Sequence, residues 1–307
     1  MSALKILITG STGLVGNALV SLLSDHTLLT PSRTECDFTN QAATRAYFEK
    51  HKPHFVFHLA AKVGGIAANI ADPISFFYDN MQININVIHA AQMTGVKKLL
   101  YLGSSCMYPK DRETLHENDL MTGLLEPTNE GYGFSKIAGL LFCKYINTQL
   151  GYSYKVFIPT NLYGEHDHFD LHRAHLVPAI IRKLHHAKIN RTPTVEIWGD
   201  GKARREFMYV GDLVNAMRRA LNEYDRLPFM MNIGLGYDYS VDDYYRIAAK
   251  AIGYEGKFFH DVSKPAGMQK KLLDVSQAKS LGFEGTTTIE DGIRKVYQYA
   301  VSKGLLV

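Results

Sequence analysis

Along the first half of the chain, short runs of consecutive apolar residues alternate with longer stretches whose apolar positions recur every three or four residues. The runs suit strands buried on both faces, and the periodic stretches suit helices lying on them. KILIT (5–9), 27–30, FVFHL (55–59), KLLYL (98–102) and YKVFI (154–158) predict five strands. Helices are expected over 14–23, 41–50, 74–94 and 133–150. This alternation predicts an α/β fold, a Rossmann-like doubly wound parallel sheet. After about 162 the pattern breaks into loops rich in His, Gly, Pro and Arg, with shorter elements between them. We therefore expect a nucleotide-binding Rossmann domain over 1–163 and a smaller α/β C-terminal substrate domain over 164–307, with 208–233 returning to the first.

Composition narrows the class. With 307 residues, 46% hydrophobic and 21% charged, the chain can bury an ordinary core without covalent staples. A net charge of +4 without any basic run argues against a nucleic-acid partner and suits an anionic small molecule. The three cysteines, Cys36, Cys106 and Cys143, show no paired spacing and no CxxC, which argues against a disulfide framework and a structural zinc site. The histidine-rich segment 165–175 fits no standard metal spacing; we read it as a polar substrate loop and expect no metal. The opening MSALKILITG lacks the regions of a secretory signal, and no apolar stretch is long enough to span a bilayer. A cytoplasmic protein without a membrane partner is expected.

Candidate chemistry begins at the first strand end. Gly10-Ser11-Thr12-Gly13-Leu14-Val15-Gly16 lies between a strand and a helix. Glycines there let the backbone turn tightly and approach a pyrophosphate, and the helix start offers free N–H groups. The second strand ends in Pro31-Ser32-Arg33-Thr34, with no acidic residue at its tip to bind a ribose hydroxyl. Arg33 can pair with a 2′-phosphate, which favours NADP, and Asp37 can meet the adenine amino group. Tyr132 and Lys136 stand four apart on a predicted helix, hence on one face. An adjacent ammonium is expected to lower the phenol pKa for acid–base work. Ser104 follows the fourth strand, where ligands bind in open α/β sheets, and can hydrogen-bond the carbonyl that Tyr132 protonates.

This ordered set resembles the extended short-chain dehydrogenase/reductases. The runs AAKVGGIAANIADP, LGSSCMYPK, LEPTNEGYGFSKIAG, IPTNLYGEHDHF, HLVPAIIRK and WGDGKARREF, and later SKPAGMQKKLLDV, are similar to the GDP-L-fucose synthase family. That resemblance implies NADPH as cofactor and a GDP-linked 4-keto sugar as substrate, reduced at C4 and epimerised at C3 and C5. It implies a homodimer through 74–94 and 133–150. Tyr132 then corresponds to the proton donor to O4, Lys136 to the residue that tunes it and binds the nicotinamide ribose, and Ser104 to the carbonyl-orienting serine. Cys106 corresponds to the epimerisation base and His175 to its acid. Ala60, Pro159, Asn161 and Leu162 join the cofactor set; Ser105, Asn161, Lys183, Trp198, Arg205 and Lys271 form the substrate set. Two positions depart from some members: Lys183 replaces an arginine, and Thr12 replaces a basic residue in the glycine loop.

The chemistry is coherent, because a C4 ketone acidifies the protons on C3 and C5, and thiol and imidazole groups can be tuned towards neutral pH. A dehydratase would carry an Asp-Glu pair where Ser105-Cys106 stands. The remaining alternatives are relatives acting on GDP-linked dideoxyhexoses (colitose-type) or heptoses, and a non-catalytic NADP-binding regulator on the same fold.

Overall fold

In the computed structural model, which describes residues 4–170, 174–263 and 269–306, six strands form one sheet. They are β1 (Lys5–Thr9), β2 (Thr27–Leu29), β3 (Phe55–His58), β4 (Lys98–Leu102), β5 (Ser153–Pro159) and β6 (Met230–Ile233). Their spatial order is β6-β5-β4-β3-β1-β2, with every neighbouring pair parallel. Consecutive residues such as Ile6, Leu7 and Ile8, or Leu99 and Leu100, are wholly buried, as they must be when helices cover both faces. The helices of this part are α1 (Leu14–Leu22), α2 (Gln41–His51), α3 (Ile66–Ala71), α4 (Pro73–Met93) and α5 (Glu130–Leu150). Asp72 caps α4 by accepting from the Ser75 N–H, and Pro73 fits the first turn, where its missing N–H has no partner to lose.

Strand order reverses between β1 and β3, so a crevice opens at their carboxyl ends. Thr9 stitches that crevice: its hydroxyl accepts from the Leu59 and Ala60 N–H groups, both at 3.0 Å, and meets His58 Nδ1 at 2.9 Å.

α5 starts one turn earlier than expected. Glycine has low helix propensity, yet Gly131 and Gly133 lie in the first turn, and a Cβ at Gly133 would lie 2.6 Å from the Cys106 carbonyl oxygen. Glycine there lets the helix approach the turn after β4. The six-residue α3 is too short for its periodicity to register in the sequence.

Beyond β5 the chain threads between two cores. Asn161–Tyr163 pairs in parallel with Phe207–Tyr209 rather than with the main sheet. α6 (Leu176–Ile189) lies in the second core, whereas α7 (Val210–Asn222) packs on α1. Of the returning stretch 208–233, only Met230–Ile233 joins the main sheet, beside β5. α8 (Val241–Ile252), capped by Ser240 and ended by left-handed Gly253, returns to the second core. α9 (Ser276–Ser280) lies with the first core: Leu273, Val275, Ala278 and Phe283 pack into it, although this stretch falls in the part of 164–307 expected, apart from 208–233, to form the second domain. α10 (Ile289–Ser302) completes the second core beside the parallel pair Thr194–Trp198 and Lys257–Asp261.

Candidate active site

The glycine turn lies at the crevice. Gly10 has φ +70°, and a Cβ on it would meet the Ala60 backbone at 2.9 Å. A Cβ on Gly16 would lie 2.1 Å from the Gly10 carbonyl oxygen. Both glycines are therefore required by the protein's own packing. Gly13 differs: it is exposed, caps α1 without a side-chain bond, and would bring a Cβ only to ordinary contact with Gly10. Thr12 is exposed beside it, while Leu14 and Val15 are half-buried at the helix start. At the end of β2, the Arg33 side chain is 80% exposed, its Nε 3.3 Å from Asp37. Such an exposed pair contributes little and leaves the guanidinium free to turn. Asp37 is more committed, accepting from the Thr39 N–H and hydroxyl at 3.0 and 2.8 Å.

The strand-end cluster is tighter. Ser104 stands just after β4 and caps the short 3-10 turn Ser105–Met107, its hydroxyl accepting from the Cys106 N–H at 3.2 Å. Ser105 is buried in that turn. Lys136 is 2% exposed, donates to the Leu102 carbonyl at 2.8 Å, and lies 5.8 Å from the Tyr132 ring centre. Burial holds its pKa at about 7, far below the ordinary 10.5. The half-buried Tyr132 goes the other way: desolvation raises it first, the Cys106 thiol adds to this, and a hydrogen bond with Ser104 opposes it. The expectation that the ammonium lowers the phenol pKa is not met: desolvation leads, the Ser104 hydrogen bond is what opposes it, and the nearby Lys136 has its own charge disfavoured by burial. Tyr132 is a neutral phenol, the form able to give a proton.

Around the Cys106 sulfur, Asn129 Nδ2 lies at 3.4 Å and Lys271 Nζ at 3.6 Å. Asn129, the residue that caps α5, was not singled out in the sequence; its place in TNEGYG reads as a plain loop. Its Oδ1 is buried without a partner.

His175 stands at the start of α6, its pKa lowered by burial and secondarily by His168. A Cβ on Gly65, in the loop after β3, would lie 3.7 Å from the Ala174 carbonyl, so the two lobes meet beside this histidine. Of the surrounding polar loop, 171–173 lie outside the described residues, as do 264–268 of the later motif. Pro159 ends β5, and the half-buried Asn161 and Leu162 follow on the same strand-end side, with Ala60 across the sheet. Arg205 is half-buried; burial lowers its pKa and Glu126 opposes that. Lys183 and Trp198 form a separate group, the ammonium 5.1 Å from the indole and donating to the Glu196 carbonyl at 3.3 Å. The structure thus gathers Ser104, Cys106, Tyr132, Lys136 and Lys271, and leaves Arg33 and the Lys183–Trp198 group apart from them. Among the described residues no three His, Cys, Asp or Glu side chains converge as metal ligands, and no helix is long and apolar enough to cross a membrane.

A glycine cradle at the switch point, with serine, tyrosine and lysine at the neighbouring strand end, defines a dinucleotide-dependent enzyme of the short-chain dehydrogenase/reductase architecture. The chain belongs to the NAD dependent epimerase/dehydratase family, whose model matches residues 6–234. It is 44% identical over 304 residues to a GDP-L-colitose synthase of Yersinia pseudotuberculosis, covering 98% of this chain and 99% of that protein. It is 42% identical over 301 residues to a GDP-L-fucose synthase of Azorhizobium caulinodans, covering 97% and 96% respectively. A GDP-mannoheptose C4 reductase from Campylobacter jejuni, solved with NADP bound, superposes with a TM-score of 0.89 at 31% identity, covering 98% of this chain and 99% of that one.

Proposed function

We propose that this protein is an NADPH-dependent 3,5-epimerase and 4-reductase of a GDP-4-keto-6-deoxyhexose, yielding GDP-L-fucose. One observation carries the reading: a thiol, flanked by an ammonium and an amide, stands two residues after the serine of a Ser–Tyr–Lys reductase set. A reductase alone needs no such thiol; an epimerase needs a base beside the ketone.

The site fits the cofactor. Gly13 is a glycine that internal packing does not demand, so its open side suits a pyrophosphate at the α1 N-terminus. Arg33 is free to take a 2′-phosphate. NADPH, when bound, supplies the hydride for C4. Ser104 orients the ketone, and neutral Tyr132 protonates O4, with Lys136 alongside to take up part of the resulting negative charge. Cys106 removes a proton from the carbon next to the ketone, and His175 returns one from the opposite face. Exposed Trp198, with Lys183 and Arg205, suits a guanine ring and a diphosphate. We also infer a cytosolic homodimer. Ile74 on α4 is 80% exposed and Tyr145 on α5 57%, with Phe77, Tyr78 and Phe134 also exposed, an apolar surface suited to a second copy.

The Yersinia relative favours a second reading, a colitose-type GDP-4-keto-dideoxyhexose substrate. Product analysis by NMR, with NADPH in deuterated water and a panel of GDP-linked 4-keto-6-deoxy, 3,6-dideoxy and heptose substrates, separates the two. Deuterium at both C3 and C5 with NADPH oxidation supports the first reading. Turnover of the dideoxy sugar alone supports the second. Failure to oxidise NADPH with any of them supports a non-catalytic NADP-binding protein.

A further inference from the structure

Glu206 lies next to Arg205, is completely buried, and among the described residues enters no ion pair. Its carboxylate faces backbone N–H groups instead. Oε1 accepts from Leu235 and, at 2.9 Å, from Gly236; Oε2 accepts from Leu273 at 3.0 Å. Its own carbonyl accepts from the Thr160 hydroxyl at 3.1 Å and from Asn161 Nδ2 at 3.0 Å. A Cβ on Gly234 would lie 2.4 Å from Oε1, so the turn there is shaped around the carboxylate.

The Leu273 bond matters most. The segment carrying Lys271 is pinned on one side by the Arg204 N–H to the Gln269 carbonyl at 2.8 Å. On the other side it is pinned by Glu206 at Leu273 and by the Asp274 N–H to the Leu115 carbonyl at 3.0 Å. Between these anchors Lys271 reaches the Cys106 sulfur. We propose that Glu206 is a positioning residue that fixes the segment carrying Lys271 against Cys106 and, through its backbone, registers that segment with Asn161 and Arg205. The claim rests on the epimerase reading for its kinetic consequence, though not for its structural one.

A carboxylate is needed because N–H groups approach both of its oxygens, whereas a glutamine has only one acceptor oxygen. Held by Leu235 and Gly236, the amide of Glu206→Gln turns its NH₂ towards Leu273 and loosens the segment there, while its pairing with Thr114–Leu115 and the Asp274 anchor remain. The test uses the full chain. Hydrogen exchange at Leu273 is measured alongside β6, and KM for GDP-4-keto-6-deoxymannose and deuterium wash-in alongside NADPH affinity. We expect exchange at Leu273 to rise, KM to rise and wash-in to slow by about tenfold to a hundredfold, the loss of one charge-assisted hydrogen bond. Exchange in β6 and NADPH affinity stay at wild-type values. Glu206→Asp, which keeps both acceptor oxygens on a shorter stem, falls between the two, and it serves as the test protein where the Gln variant does not fold. Unchanged exchange at Leu273, or kinetics equal to wild type, overturns the proposal. So does a loss of NADPH affinity in step with KM. If the wild-type protein turns over no GDP-4-keto sugar, the functional reading falls, and Leu273 exchange together with GDP affinity decides the role of Glu206.

Discussion

Lys136→Met should stabilise the cofactor-free protein at pH 7 while abolishing its activity, and the gain should vanish in alkali. Lys136 is buried and donates to the Leu102 carbonyl, and burial holds its pKa at about 7 against an ordinary 10.5. At about 1.36 kcal/mol per pH unit, that gap places on the order of 5 kcal/mol of unfavourable free energy on the folded ammonium. Below pH 7 folded and unfolded chains both hold the proton, so the whole cost is present. Between about 7 and 10.5 only the unfolded chain holds it, and wild-type stability rises with pH at about 1.4 kcal/mol per unit. Methionine fills similar space without the charge but leaves the Leu102 carbonyl unpaired, which costs about 1–3 kcal/mol. The net gain at pH 7 is therefore about 2–4 kcal/mol, or roughly 4–8 °C in melting temperature for a chain of this size. Melting curves of both proteins at pH 6, 7, 8 and 9, without cofactor, check this. The difference should be flat from 6 to 7 and close to zero by 9. A variant that melts at or below wild type at pH 7, or a gain that persists unchanged to pH 9, refutes the account of a buried, depressed lysine.

Tyr132→Phe should lower NADPH oxidation by about 10²–10⁴-fold, the usual worth of a positioned proton donor. Cofactor binding, followed by nicotinamide fluorescence, should be preserved; lost binding would contradict the assigned role. Cys106→Ser should slow deuterium entry at C3 and C5 far more than hydride transfer to an already epimerised ketone, and equal loss in both assays counts against a base at this position. Arg33→Ala, which removes an exposed side chain holding only a weak pair with Asp37, should weaken NADPH binding by about tenfold and leave NADH binding alone. Parallel weakening of both cofactors by titration would place the 2′-phosphate contact elsewhere.

The parts legible in the sequence are those whose cause is local. β1 announces itself because burial on both faces forces apolar residues at every position, and the glycine turn after it because Gly10 and Gly16 admit no side chain. Tyr132 and Lys136 share a face through helical periodicity alone. What stayed hidden depends on residues distant in the chain. Glu206 meets Leu235, Gly236 and Leu273, which lie 29, 30 and 67 positions away, and nothing near it in ARREF marks a buried acceptor. Asn129 touches the Cys106 sulfur across 23 positions. The pairing of Asn161–Tyr163 with Phe207–Tyr209 is equally long-range, and three-residue strands leave too short a pattern to assign a partner. The phenol pKa was misjudged for a related reason: sequence shows which charge is near, whereas the depth of burial that overrides it emerges only from packing.

The threading of the chain between its two cores bears on how the protein can be cut and recombined. A fragment ending at residue 163 would lack β6, leaving β5 as a bare sheet edge inviting aggregation. It would also lack Tyr224, whose hydroxyl bridges the Leu99 and Ser153 carbonyls beneath that edge. The part of the chain that forms the main sheet is thus no detachable module. Exchanging the second core between relatives requires splices at each passage, so change in this architecture is more readily gained by altering loops than by shuffling whole segments.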